Sequence, residues 1–276
     1  MSSWLRPSEA KGVSEPHELP NIPRDDKVVK SAFVPRPGNV FHLFDYKQIE
    51  PRLLAYFASK RGDDSLAERI RSGIDPYTSI LLPIYGEEIS ESQRQEGKIL
   101  FLSLMYGAGV RSVKAQFNLN EADAKALIRR FHKALPIVRV LQDGVVSTAN
   151  KRGYIRTPWG RPLHLEDYGE HKLLNKLVQG SAAHLMKRAM IRADEWLLDV
   201  GIEQGVLGLS VVHDEMIFEA PHAMGKALHD RIPQLMTIES AGQDICDIIP
   251  IQVDHEVAVA NMADKRDYDE YVQIPY

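Results

Sequence analysis

The sequence predicts an α+β fold, an antiparallel sheet backed by helices with an all-helical, basic insertion. Three observations predict it. Short apolar runs of strand length, Val40–Phe44, Gly208–Val212, Met216–Glu219 and Ile251–Val257, stand on either side of a long middle section. That middle is punctuated by caps, Gly and Pro at helical spacings. One long helical pattern, about Glu170–Val200, then leads back to the strands. Strands segregated from helices in this way argue for α+β rather than alternating α/β order.

The elements follow in order. Residues 1–30 lack periodicity and are rich in Pro and charge, which predicts an extended arm. The strand Val40–Phe44 ends in Asp45. A helix from about Glu50 to Ser59 tolerates Pro51 in its first turn, where a missing N–H costs little, and Leu53, Leu54 and Phe57 form its apolar side. Asp75-Pro76 opens a helix through Tyr85. Ser90 or Ser92 caps another that reaches about Met105 and stops at Tyr106-Gly107-Ala108-Gly109. Helices over Asn120–Leu135 and Ile137–Lys151 are separated by Pro136 and closed by Gly153. Gly153–Leu165 alternates around a Pro158–Gly160 turn and reads as a hairpin. After the long helix come two strands joined through His213–Glu215, a helix over about Ala223–Thr237, the strand Ile251–Val257 and a polar tail.

A chain of 276 residues can bury a substantial core, and 44% hydrophobic with 26% charged residues is ordinary for a globular protein. Its one cysteine, Cys246, excludes an intrachain disulfide and fits a reducing compartment. No apolar run approaches the ~20 residues that span a bilayer, and the N-terminus is too polar for a secretory signal, so the expected location is the cytoplasm. The net charge of −4 is unevenly spread. Arg94–Arg161 holds 13 Lys/Arg against 4 Asp/Glu, and the remainder 21 against 34. A local +9 beside −13 is either a polyanion-binding surface or a solvated basic face.

Asp45 and Asp214 each end an apolar run. On neighbouring strands the two carboxylates would meet at one edge of the sheet, where they repel unless they share a proton or bind cations. Hard oxygen ligands suit Mg²⁺ or Mn²⁺, and two such ions serve phosphoryl or nucleotidyl transfer. The competing reading makes Asp45 a helix cap and Asp214-Glu215 a polar turn.

Five motifs decide between these. "FDYKQIEPRLLAYFA" (Phe44–Ala58), "RQEGKILFLSLMYG" (Arg94–Gly107) and "VVHDEMIF" (Val211–Phe218) resemble motifs A, B and C of the A-family DNA polymerases, the group of bacterial DNA polymerase I and its phage relatives. "GYIRTPWGRPL" (Gly153–Leu163) and "NKLVQGSAAHLMKRAM" (Asn175–Met190) resemble that family's hairpin and Gln-Gly helix, in its order and at its separations, from about Pro20 to Val257. The resemblance implies a polymerase palm at 31–74 and 169–276, fingers at 75–168 and an arm at 1–30, with no thumb or exonuclease in this chain. "PNIPR" (Pro20–Arg24) resembles the upstream entry to the palm.

It also implies roles. Asp45 and Asp214 would hold two Mg²⁺ (or Mn²⁺) ions with the Tyr46 carbonyl, and Glu215 would support them. Glu50 would be the steric gate against a ribose 2′-OH. Gln48, Arg94, Lys98, Leu102 and Tyr106 would face the dNTP. Asn175, Gln179, His213, Arg156 and Arg161 would face primer–template DNA. Arg94, Lys98, Leu102 and Tyr106 recur every fourth residue, so they share a helix face, and two cations one turn apart match a polyphosphate. The implied activity is template-directed DNA synthesis in replication, phage-like, with a separate chain as the expected source of a thumb or exonuclease; the host cytoplasm would be its setting if phage-encoded. A single-subunit RNA polymerase and a non-catalytic DNA-binding fragment are the rival readings; Glu50 opposes the first and the metal carboxylates the second. The departures are Leu102 for the usual aromatic, Tyr77 for a histidine, His171 for an arginine and Pro51 for an aliphatic.

Overall fold

The apolar run around Val40–Phe44 becomes β1 (Asn39–Tyr46), the central strand of a five-stranded sheet. The computed structural model describes residues 26–86, 89–105, 107–165, 169–237 and 245–273. The strands β5 (Glu215–Pro221) and β6 (Val253–Ala258) flank β1, and β4 (Leu207–Val212) and β7 (Lys265–Asp267) form the edges, in the order β4-β5-β1-β6-β7. Every pairing is antiparallel. Side chains alternate across β1, so its two faces see different surroundings. Phe44 and Tyr46 join the main core, and the Tyr46 hydroxyl donates to the Met236 carbonyl at 2.7 Å. Phe41 and Leu43 make a small cluster with Ile217 and Ala258 on the other face. Asp45 alternates with that second set.

Two helices back the sheet, α9 (Leu173–Trp196) and α10 (Gly225–Thr237). From the end of β1 the chain turns into α2 (Ile49–Ser59), where Leu53, Leu54, Ala55 and Ala58 are fully buried. The insertion holds α3 (Ser65–Arg71), α4 (Pro76–Tyr85), α5 (Glu91–Met105), α6 (Val110–Gln116), α7 (Glu121–Ala134), α8 (Pro136–Arg152) and the hairpin β2 (Tyr154–Arg156) and β3 (Pro162–His164). Local chemistry sets its boundaries. Ser90 and Gln93 form a reciprocal capping box at the start of α5. Asn120 accepts from the Asp123 N–H to start α7, and Gly153, at φ 76°, closes α8. One continuous core runs from Phe44 through α2, α5 and α8 to α9 and α10.

Several expectations are corrected. Part of the arm placed at 1–30 is helical, as α1 (Lys27–Ser31); residues 1–25, with Pro20–Arg24, lie outside the described residues. The long helix is shorter than Glu170–Val200, with a 3₁₀ turn at Glu170–Lys172 before it and a wide π turn at Leu197–Gly201 after it. The last sheet strand of the prediction starts later, at Val253. The polar tail is structured: it supplies β7 and α12 (Tyr268–Tyr271), whose Tyr268 and Tyr271 are buried against Val40 and Val257. Near the same end of the sheet, the Met262 N–H donates to the Phe33 carbonyl at 2.9 Å, so the entering and leaving segments lie side by side.

Candidate active site

The register of the sheet assembles the carboxylates. Asp45 pairs with Glu215 on β5 and with Asp254 on β6, so three acidic side chains form a row on the face opposite α9 and α10. The Tyr46 N–H donates to the Asp214 carbonyl at 3.1 Å, which puts Asp214 at the same edge. Val212 pairs with Glu215, so the turn between β4 and β5 is two residues, His213-Asp214, rather than the three expected. Its first residue, His213, has φ 56°, as tight hairpins of this kind require. His213 is exposed, and Asp45, Asp214 and Glu215 are half-buried.

Lysines balance the row. Lys265, on the edge strand, reaches across the open face to Glu215 at 2.6 Å and Glu256 at 3.4 Å. Lys47 pairs with Asp254 at 3.2 Å. Among the described residues no group of three or more His, Cys, Asp or Glu forms a metal cage. Two carboxylates and a backbone carbonyl, completed by substrate phosphates, are instead the donor set Mg²⁺ uses, and oxygen is the only donor type that Asp45, Asp214 and Tyr46 would present. The residues fit such an ion.

The link between β1 and α2 is held from both sides. The Lys47 N–H donates to the Gln252 carbonyl at 2.9 Å. Arg52, almost fully buried, donates to the carbonyls of Lys47 (2.8 Å) and Pro250 (2.5 Å) and to Gln252 Oε1 (2.6 Å). Gln48 adopts a left-handed conformation, φ 51° and ψ 51°, which costs a non-glycine residue about 1–2 kcal/mol. Its Nε2 donates to Asp75 Oδ1 at 2.5 Å.

Asp75 also caps α4, accepting from the Thr78 N–H at 2.8 Å, and receives Arg94 through Nε (3.2 Å) and Nη2 (2.9 Å). Burial pushes the Asp75 carboxyl up, but hydrogen bonds from Arg94, Thr78 and Gln48 outweigh it and hold it at about 2. The same bond to Asp75 raises Arg94. Lys98 Nζ lies 5.4 Å and Arg94 Cζ 5.9 Å from the centre of the buried Tyr77 ring. Tyr77 is thus an aromatic platform under both cations. Leu102 packs against the core, and Tyr106 lies outside the described residues. The following Gly107 has φ 79°, and a Cβ there would sit 2.7 Å from the His171 carbonyl, so only glycine suits the position.

On α9, Gln179 Nε2 comes within 3.5 Å of Glu50 Oε1. Asn175 is nearly buried. Gly180 admits Leu163 of the hairpin to about 3.0 Å of its would-be Cβ, which seats β2 and β3 against the helix. Arg156 and Arg161 are exposed on that hairpin, Arg156 stacked 4.9 Å from the Tyr154 ring centre. Sequence reading missed Arg52, Asp254 and Lys265 and saw Asp75 only as a helix start.

An antiparallel sheet with a carboxylate row on its open face, helices behind it and a helical insertion carrying cations to its edge is the palm-and-fingers architecture of a polymerase. Within that class the chain belongs to DNA polymerase family A, whose profile matches residues 13–263. The chain is similar to DNA polymerase I of Geobacillus stearothermophilus, 30% identical over 254 residues, which cover 86% of this chain and 28% of that protein. It is similarly related to the thermostable DNA polymerase I of Thermus thermophilus, 30% identical over 262 residues, 89% of this chain and 30% of that one. The chain therefore spans less than a third of these relatives. Among solved structures it superposes on the POL domain of Pol1 from M. smegmatis, in complex with DNA primer-template and dNTP, with a TM-score of 0.77 and 27% identity over 89% of this chain and 45% of that chain. Among the described residues no helix is long and apolar enough to cross a membrane.

Proposed function

We propose that the chain catalyses template-directed transfer of deoxynucleotides from dNTPs to a primer 3′-OH. One observation carries the reading. The sheet register gathers Asp45 and Asp214 at one edge, and the contacts Gln48–Asp75–Arg94 tie that edge to the cationic face of α5. Asp45 and Asp214, with the Tyr46 carbonyl, would hold two Mg²⁺ or Mn²⁺ ions. Such ions, when bound, make the 3′-OH a better nucleophile and stabilise the pyrophosphate leaving group. Glu215, neutralised by Lys265, supports the row without competing for the ions. Arg94 and Lys98 orient the triphosphate, and positioning plus charge stabilisation provide most of the rate. Glu50, close to Gln179, crowds the sugar and disfavours a 2′-OH. Asn175, Gln179, His213, Arg156 and Arg161 are assigned to the primer–template, and Tyr106 to the nascent base pair.

Primer extension with Mg²⁺ tests this. Asp214→Ala and Asp45→Ala should each lower the rate by at least about a hundredfold, and EDTA should abolish it. Unchanged extension by Asp214→Ala would overturn the metal assignment. The reading extends to a replicative, phage-like setting, in the host cytoplasm, with a separate chain contributing a thumb or exonuclease. Extension with and without products of neighbouring genes tests that part. The core-packed Leu102 favours a rival, a DNA-binding fragment that does not polymerise. It predicts salt-dependent DNA binding with no incorporation in any of these mixtures.

A further inference from the structure

We propose that Asp75 is a positioning residue for the nucleotide, acting through Arg94 and Gln48. The proposal rests on the reading of Arg94 as a triphosphate ligand. Asp75 accepts five hydrogen bonds from three elements. Oδ1 takes Gln48 Nε2 at 2.5 Å and Arg94 Nη2 at 2.9 Å. Oδ2 takes the Thr78 N–H at 2.8 Å, the Thr78 hydroxyl at 3.0 Å and Arg94 Nε at 3.2 Å. A carboxylate offers about four lone-pair sites, so this one is saturated. It has no capacity left for a metal or a proton, and its role is to hold its donors.

What it holds is informative. Gln48 lies three residues after Asp45 and two before Glu50, in the strained turn that leads into α2. Arg94 begins the cationic stripe of α5. One carboxylate thus fixes the turn carrying the gate to the helix carrying the phosphate ligand. The grip on Arg94 uses the Nε/Nη2 edge of the guanidinium. The other terminal nitrogen, Nη1, makes only a 3.5 Å contact with the exposed Glu91, so it is the side offered to a phosphate oxygen. A flexible arginine loses rotamer freedom when it is fixed. Asp75 imposes that order before the nucleotide arrives, which is how preorganisation raises affinity.

The test is dTTP binding with Mg²⁺ and primer–template DNA, by equilibrium titration, for wild type, Asp75→Asn, Arg94→Ala and the double variant. Asparagine keeps an oxygen for the Thr78 N–H, so the α4 cap survives and the melting temperature should hold. Asp75→Asn should weaken dTTP about tenfold, the scale of one charge-assisted hydrogen bond. In the Arg94→Ala background the same change should matter less than about twofold, because coupled residues are not additive. An equal loss in both backgrounds, or no loss in either, overturns the proposal. Tighter binding by Asp75→Asn also overturns it, since Asp75 would then be withholding Arg94. A wild type that does not bind dTTP, or an Arg94→Ala variant that binds as well as wild type, would instead sink the nucleotide reading beneath it.

Discussion

Glu50 sits half-buried at the start of α2, with Gln179 of α9 at 3.5 Å. In the proposed role, a side chain held there would narrow the space beside a nucleotide sugar. Glu50→Ala should therefore raise ribonucleotide use relative to deoxynucleotide use by on the order of tenfold or more. Competition of rNTP against dNTP at fixed primer measures it, and an unchanged ratio would remove Glu50 from sugar selection. Asp45 and Asp214 were legible because each interrupts an apolar run, which is the signature of a polar group at a strand end. Asp254 and Lys265 were not. Their significance comes from pairing with Asp45 and Glu215, and cross-strand register over such distances has no local signal. Tyr77 was legible as a replacement but not as a platform, since that depends on how α4 meets α5.

Among the elements, α4 and α5 meet closely at Gly97. A Cβ on Gly97 would lie 2.1–2.6 Å from the Leu81 side chain. Gly97→Ala should force the helices apart at a cost of about 1–3 kcal/mol, lowering the melting temperature and weakening dTTP binding together. Combined with Leu81→Ala, the loss should be smaller than the sum of the single losses, and strict additivity would show that the contact does not constrain the pair. Capped elements could be read from sequence because Asp75-Pro76, Ser90, Asn120 and Gly153 carry their own chemistry. The short elements α3, α6, β7 and α12 could not, because three to seven residues give too little periodicity and packing decides them.

For the whole molecule, the basic insertion and the sheet share a single core. Thermal unfolding should thus show one cooperative calorimetric transition; two resolved transitions would contradict the shared core. Acid should act through the back of the sheet. His42 Nδ1 lies 2.9 Å from His255 Nε2, and His255 Nδ1 lies 3.1 Å from His229 Nδ1. Burial, with His222 adding to it, lowers His42 to about 4; burial, with His42 and His229, lowers His255 to about 2. Both are neutral when folded and free to protonate near 6.5 when unfolded. Their contribution is therefore complete above pH 6.5 and is lost as pH falls, through about 4 for His42 and lower for His255. The slope approaches about 1.4 kcal/mol per pH unit for each group. Urea unfolding at pH 7.5, 6.0 and 5.0 checks it, and equal stability at all three would contradict it. This chain of imidazoles was invisible in sequence because its members come from β1, α10 and β6.

The hydrogen bond from Met262 to Phe33 has a mechanical consequence. It joins the segment before β1 to the segment after β6, at the end of the β1–β6 pair opposite Asp45, with α12 tucked against the start of β1. For a mechanical experiment, handles can be attached at Phe33 and Met262, beside this contact. Pulled between those handles, neighbouring segments would be peeled apart in sequence rather than sheared all at once. The molecule should yield to force like a zip, starting at the end farthest from its chemistry.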